Sequence, residues 1–247
     1  MNQLIHQIVQ RLKQANSVVC LTGAGVSAES GLDTFRDAQT GLWSKFDPQQ
    51  LATQAAFTAN PSLVWQWYMA RLESMQLALP NPGHIALAQL AQMVPEISIV
   101  TQNIDDLHER GGSSSVAHLH GSIAQFRCNR CEAPYNLALE EREQQAPPNC
   151  PACGDLIRPD IVWFGEALPH KIFEDAWSAS ETCDVMFIIG TSGVVYPAAQ
   201  LPYVASQAGA FIADINPAES MFSELADVLI KLPSGEALPQ IVEEMKG

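Results

Sequence analysis

Short apolar runs alternate with helical stretches, a glycine turn follows the first run directly, and two Cys-x-x-Cys pairs fall in the one stretch without a period. Together these predict an α/β fold: a Rossmann-like parallel-sheet domain into which a small zinc-binding domain is inserted. A chain of 247 residues suits one large domain with an insert. At 47% hydrophobic and 16% charged residues it is too apolar for a disordered segment. A net charge of −14 excludes bulk attraction to nucleic acid or an anionic membrane, both of which need a basic face. No apolar run reaches the ~18 residues of a membrane span, and the amphipathic start MNQLIHQIVQRLKQ has no signal-peptide core, so a cytoplasmic location is expected.

Taken in order, Leu4, Ile5, Ile8, Val9 and Leu12 make a helical stripe that Asn16 interrupts. Ser17–Thr22 is β-branched and apolar, a buried strand leading straight into Gly23-Ala24-Gly25. Similar strands are expected at 97–101, 184–189, 210–215 and 228–230, with helices near 48–57, 61–79, 83–93, 169–181, 197–208 and 236–246. Strands that alternate with helices imply a parallel sheet covered on both faces. The domain reading assigns 1–35, 81–120 and 168–247 to the sheet domain, 36–80 to a helical part of the small domain, and 121–167 to the zinc module.

The chemistry-bearing residues fall mostly at expected strand ends. Gly23-Ala24-Gly25-Val26-Ser27-Ala28 fits G-x-G-x-x-A behind a strand, where small residues let backbone N–H groups approach a pyrophosphate. An ordinary strand-to-helix turn fits the same six residues. The usual acidic ribose ligand about 20 residues further on is missing. Thr101-Gln102-Asn103-Ile104-Asp105 follows a strand, which makes it either a ligand edge or a helix cap. His118 and His120 share a face of a short extended segment, and either ring could be structural. Cys128-x-x-Cys131 and Cys150-x-x-Cys153, 18 residues apart, have the spacing of a closed tetrahedral zinc site, one structural ion per chain, with disulfides as the alternative. Cys20 and Cys183 lie in apolar runs and are expected to be packed thiols.

The loop continues to Ser30-Gly31-Leu32-Asp33-Thr34-Phe35-Arg36, and His120-Gly121, Gly190-Thr191-Ser192 and Asn216-Pro217 follow in order. With Gly23-Ala24-Gly25 and Thr101–Asp105, these elements resemble the sirtuin family of NAD-dependent protein lysine deacylases across essentially the whole chain. The resemblance implies NAD as co-substrate, held by Gly23, Ala24, Gly25, Ser27, Thr34, Phe35, Arg36, Gln102, Asn103, Ile104, Asp105, Gly190, Thr191, Ser192, Asn216, Pro217 and, beside adenine, Ser234. Asn103 and Asp105 would take the nicotinamide amide, Asn216 would replace the absent acidic ribose ligand, and His120 would be the general base. Phe35 and Arg36 would lie on a mobile loop over the reaction centre. Acylated lysines of proteins, bound as extended peptide, would lie between Val162, Trp163, Phe164, Gly165 and Glu166 on one side and the strand containing Gly193, Val194 and Tyr196 on the other. Asp160 and Asp33 depart from the family, which commonly has His and Pro there.

Tyr68 and Arg71 lie on one helical face, as an aromatic core residue and a solvated arginine would. In the sirtuin class that this sequence most resembles, such a Tyr-x-x-Arg contacts the acid end of succinyl- or malonyl-lysine, and Ala38 keeps the acyl pocket open. The resemblance thus implies removal of acetyl, succinyl and malonyl groups. The acyl-lysine oxygen would attack C1′ of the nicotinamide ribose, releasing nicotinamide and 2′-O-acyl-ADP-ribose. Two rival functions are protein ADP-ribosyltransfer and non-catalytic sensing of NAD or ADP-ribose. Retention of His120, Asn103 and Asp105 argues against a sensor, which needs no base.

Overall fold

The computed structural model describes residues 1–32, 47 and 51–247. The chain runs through α1 (Asn2–Leu12), β1 (Ser17–Thr22) and a 3-10 helix (Ala24–Ser30), then α2 (Gln54–Ala59), α3 (Pro61–Leu77) and α4 (Pro82–Leu90). It continues as β2 (Glu96–Thr101), α5 (Leu107–Arg110), β3 (Val116–His118), β4 (Gly121–Cys128), β5 (Pro134–Tyr135), α6 (Leu139–Arg142) and β6 (Ile157–Ile161). It closes with α7 (His170–Thr182), β7 (Val185–Ile189), α8 (Leu201–Gln207), β8 (Phe211–Ile215), β9 (Val228–Ile230) and α9 (Ser234–Lys246). The five expected strands are present with ends within one residue of the expected positions.

Among the described residues, six parallel strands form a sheet in the order β3-β2-β1-β7-β8-β9. Because β1 is flanked by β2 on one side and β7 on the other, the chain reverses direction across the sheet between β1 and β7. The crevice outside the carboxyl ends of strands at such a switch point is where open α/β sheets hold ligands. Burial on both faces explains why these strands read as continuous apolar runs rather than alternating ones. Val18, Cys20, Val185, Phe187 and Ile189 point into one core with α1, α4 and α9, while Val19, Leu21, Met186 and Ile188 point into the other with α8. Cys20 and Cys183 are buried thiols, as expected.

Residues 121–167, which show no period, contain a three-stranded antiparallel sheet in the order β5-β4-β6. A register shift between Ser122 and Phe126 and the two-residue length of β5 explain the missing pattern. A third apolar cluster joins this sheet to α2 and α3, with Phe57, Trp65, Tyr68 and Leu72 against Phe126, Cys128, Ile157 and Trp163. Asp160 is held by Arg127, whose Nε donates to its carboxylate at 2.9 Å, which accounts for an acid at this position.

Candidate functional site

The glycine turn behind β1 is a 3-10 helix rather than the start of a long α-helix, and it interlocks with the turn behind β7. A Cβ on Gly25 would stand 2.7 Å from Gly190 Cα, and Gly190 itself sits at φ +60 with Gly25 just as close. The amide of Gly25 donates to Gly190 O at 2.8 Å. Side chains at these positions would force the two turns apart at the switch point. Gly23, Ala24, Gly25 and Ser27 therefore meet Gly190, Thr191 and Ser192 at one edge, where Gln102 Nε2 also donates to Thr191 Oγ1 at 3.0 Å. Asn216 follows β8 at the same edge.

Below this edge lies a buried polar network. Asn103 Nδ2 donates to Ser27 Oγ at 3.1 Å, and Ser27 Oγ donates to Asp105 Oδ2 at 3.1 Å. The other oxygen of Asp105 accepts at 3.1 Å from the amide of Leu107, the first residue of the short helix α5, but the cap position of that helix is Asp106, so neither Asn103 nor Asp105 is the helix cap that the alternative reading of this motif supposed. Burial raises the Asp105 carboxyl above its usual range, opposed by the bonds from Leu107 and Ser27. Asn103 and Asp105 are 7% and 5% exposed, so an amide ligand reaching them would leave water behind.

The structure adds three residues to this network. Asn81 caps α4 and donates from Nδ2 to Val26 O at 2.7 Å, tying that helix to the glycine turn. His84 Nδ1 accepts from Asn81 N, which leaves the proton on Nε2, 3.5 Å from Ser27 Oγ. His108 packs edge-on to His84 at 4.9 Å and meets Thr22 Oγ1 at 2.9 Å. Burial pushes His84 down to about 4 and His108 to about 3, so both rings are neutral. Asn81-Pro82-Gly83-His84 is legible as a helix start, but only the fold brings its histidine to Ser27.

Of the two histidines behind β3, His118 ends the strand and His120 lies in the following turn, so the extended segment stops short of His120. Gly121, at φ +74 and packed on Asp160 O, makes the bend that ends the extension. His120 Nδ1 faces Gln102 O at 2.8 Å; since a carbonyl only accepts, Nδ1 carries the proton and Nε2 keeps its lone pair. Burial holds this imidazole below its usual value, partly offset by the Gln102 bond. His118 meets two acceptors, Asn103 O at 3.1 Å and Glu109 Oε1 at 2.7 Å, an arrangement that only an imidazolium satisfies. Burial alone would lower the His118 value, but Glu109 outweighs it and the net direction is up. The two rings thus differ in their surroundings: both nitrogens of His118 face acceptors, whereas only Nδ1 of His120 does.

The remaining predicted residues divide. Arg158 to Ile161 pair with β4, so only the residues after Ile161 leave the small sheet. There Val162 N donates to His120 O and Phe164 N to Ala52 O, both at 2.9 Å. Arg158 is 1% exposed, forks onto both oxygens of Glu166 at 2.6 and 2.9 Å, and lies 3.2 Å from the Trp163 ring centre. Trp163 is buried, with Nε1 donating to Tyr68 Oη at 2.9 Å, whereas Phe164 is 44% exposed beside Gly165. Gly193, Val194 and Tyr196 form an irregular segment rather than the expected strand, because Gly193 at φ +80 and the following Pro197 interrupt extension. Tyr68 is buried, which raises the pKa of its hydroxyl above the usual tyrosine value, while Arg71 is half-buried with its guanidinium 5.1 Å from the Trp67 ring centre. Ser234 is buried at the start of α9 beside Glu29. Thr34, Phe35, Arg36 and Ala38 lie outside the described residues.

Cys128, Cys131, Cys150 and Cys153 bring four sulfurs within 4.8 Å of one another, with Sγ pairs at 3.3 and 3.7 Å. A tetrahedron with ~2.3 Å metal–sulfur bonds has edges of about 3.8 Å, so the cluster fits one zinc ion. Cys128 Sγ also faces the amides of Arg130 and Cys131, as a thiolate ligand does. Four thiolates fill the shell and leave no position for a reacting water.

A family model described as the Sir2 family matches residues 23–197. NAD-dependent protein deacylase 2 of Pyrobaculum aerophilum is 46% identical over 239 residues, 97% of this chain and 95% of that protein. NAD-dependent protein deacylase 1 of Pseudomonas aeruginosa is 46% identical over 241 residues, covering 95% of this chain and 96% of its own. Among solved structures, a Sir2 homolog–NAD complex superposes with a TM-score of 0.92 at 40% identity, covering 98% of this chain and 93% of its own. A mutant Sir2 homologue with 2′-O-acetyl ADP ribose gives 0.91 at 39% identity, covering 97% and 96%. A complex of Sir2 with p53 peptide and NAD+ gives 0.88 at 32% identity, covering 97% and 98%.

Proposed function

The chain belongs to the Sir2 family and is an NAD-dependent protein deacylase, and we propose that it moves acetyl, succinyl and malonyl groups from protein lysines to ADP-ribose, releasing nicotinamide. The observation that supports the reaction is the carboxyl edge of the sheet, where His120, held through Nδ1 on Gln102 O, follows β3 and the Asn103–Ser27–Asp105 network links the turns behind β1 and β2. NAD, when bound, supplies a ribose C1′ electrophile with nicotinamide as leaving group. Asp105 offers a carboxylate to the amide NH2 of nicotinamide, and Asn103 offers its own amide; Ser27 keeps both in register. His120 Nε2 takes the proton of a ribose hydroxyl, and its Nδ1–H, held on Gln102 O, fixes the ring for that transfer. Gly25 and Gly190 keep the backbone of both turns open to the pyrophosphate.

The acyl reading rests on Tyr68 and Arg71. The Trp163 donation uses a lone pair of the Tyr68 oxygen, so the hydroxyl proton is left to donate. Arg71, three residues on, supplies the planar fork that a terminal carboxylate needs. An extended peptide with its acyl-lysine directed toward them would lie along Val162–Glu166 and Gly193–Tyr196, where Phe164, Val194 and Tyr196 expose apolar surface. Two assays test this proposal: nicotinamide release and acyl transfer with NAD and one peptide carrying acetyl, succinyl or malonyl lysine. Transfer of acetyl alone would reject the broader specificity.

A further inference from the structure

Asp214, on β8, is fully buried and has no part in the reaction described above. Three side chains donate to it. Ser220 Oγ and Ser223 Oγ reach Oδ2 at 2.7 and 3.3 Å, and Asn216 Nδ2 bonds to Oδ1. Each hydroxyl, having given its proton to the carboxylate, accepts from a backbone amide: Ser220 Oγ from Phe222 N at 3.0 Å and Ser223 Oγ from Ser220 N at 2.9 Å. One carboxylate thereby fixes the loop after β8. That loop in turn supports the neighbouring turn, since Met221 N donates to Ser192 O at 3.2 Å and the Phe222 ring fills the space where a Cβ on Gly193 would fall, at 2.7 Å.

We propose that Asp214 is a positioning residue for the adenosine half of the dinucleotide, acting by fixing the amide of Asn216. A carboxylate only accepts, so Asn216 must turn its NH2 toward Asp214 and keep Oδ1 as its remaining acceptor. A ribose hydroxyl needs an acceptor, which dinucleotide folds usually supply as an acidic side chain directly. Here the acid stands one step behind and orients an amide in its place. The inference rests on the Sir2 reading of this edge.

The test is Asp214→Asn, which sets two amides against each other. Losing a hydrogen bond to a charged group predicts that KM for NAD and Kd for ADP-ribose rise about ten- to a hundredfold, with kcat at saturating NAD and KM for acyl-peptide within about twofold. The double variant Asp214→Asn/Asn216→Asp restores one donor facing one carboxylate and should recover ADP-ribose binding. Ser220→Ala and Ser223→Ala, each removing one donor, keep the test open if Asp214→Asn fails to fold; each should weaken ADP-ribose binding with little change in peptide KM. Unchanged ADP-ribose affinity in these variants, or equal losses for nucleotide and peptide, would overturn the inference alone. Failure of the wild-type chain to bind ADP-ribose would overturn the Sir2 reading and this inference together.

Discussion

Cys131 is exposed while Cys128 and Cys150 are buried, so Cys131→Ser removes a zinc ligand without opening a cavity. Structural zinc in small domains contributes about 10–16 kcal/mol, as much as the 5–15 kcal/mol that holds a typical whole fold together. The small sheet, with a two-residue β5 and only three strands, cannot replace that contribution. The damage should travel by a defined route. Cys128 ends β4, β4 pairs with β6, and β6 runs into Val162 and Phe164, whose amides bond to His120 O and Ala52 O at 2.9 Å. Peptide affinity should therefore fall by at least about tenfold, or ~1.4 kcal/mol, whereas ADP-ribose affinity, set by the parallel sheet, stays within about threefold. Metal analysis gives the zinc content, and calorimetric titration with acyl-peptide and ADP-ribose gives both affinities. A zinc-free protein that binds peptide normally, or one that loses both ligands equally, would refute this reasoning.

Other predictions concern the base, the buried histidines and the acyl pocket. His120→Ala should lower kcat/KM about 10²–10⁴-fold without shifting the melting temperature; a near-normal rate removes His120 from the role of base. Because burial holds His120 below its usual value of 6.5, its basic form is already dominant at neutral pH, so the fall of wild-type kcat/KM with acid should be centred below pH 6.5. A fall centred above pH 6.5 would contradict this. His84 and His108 have folded values near 4 and 3 against 6.5 unfolded, so the unfolded chain takes up their protons first as pH drops. Stability is complete above pH 6.5 and should fall by up to ~1.4 kcal/mol per unit per histidine down to those values, measured by urea unfolding; a flat profile would refute the buried neutral pair. Arg71→Met should reduce kcat/KM for succinyl-peptide roughly ten- to over a hundredfold and leave acetyl-peptide nearly unchanged; equal losses would make Arg71 a support of α3.

The parallel sheet was legible because burial on both faces leaves each strand as an unbroken apolar run, and the cysteine pairs because metal geometry constrains their spacing. The switch point could be anticipated only as a set of strand ends, since strand order depends on pairing between segments as distant as Cys20 and Phe187. The inserted sheet was illegible because a register shift in β4 and prolines at 134 and 159 erase the alternation a strand would show. His84 and Asn81 escaped for another reason: each serves a helix start locally, and their second role toward Ser27 and Val26 exists only after α4 docks on the glycine turn. His118 and His120 were separable by the glycine that follows His120, but their different surroundings come from acceptors contributed by β2's following loop and α5.

The most direct test of the central claim follows all three products of one turnover. Purified protein, NAD and a succinyl-lysine peptide are incubated, and nicotinamide, free peptide and the nucleotide product are quantified together. The account predicts one nicotinamide per deacylated lysine, the acyl group recovered on ADP-ribose, and loss of all three signals in His120→Ala. Acyl loss without NAD, or peptide that gains ADP-ribose while keeping its acyl group, would contradict it.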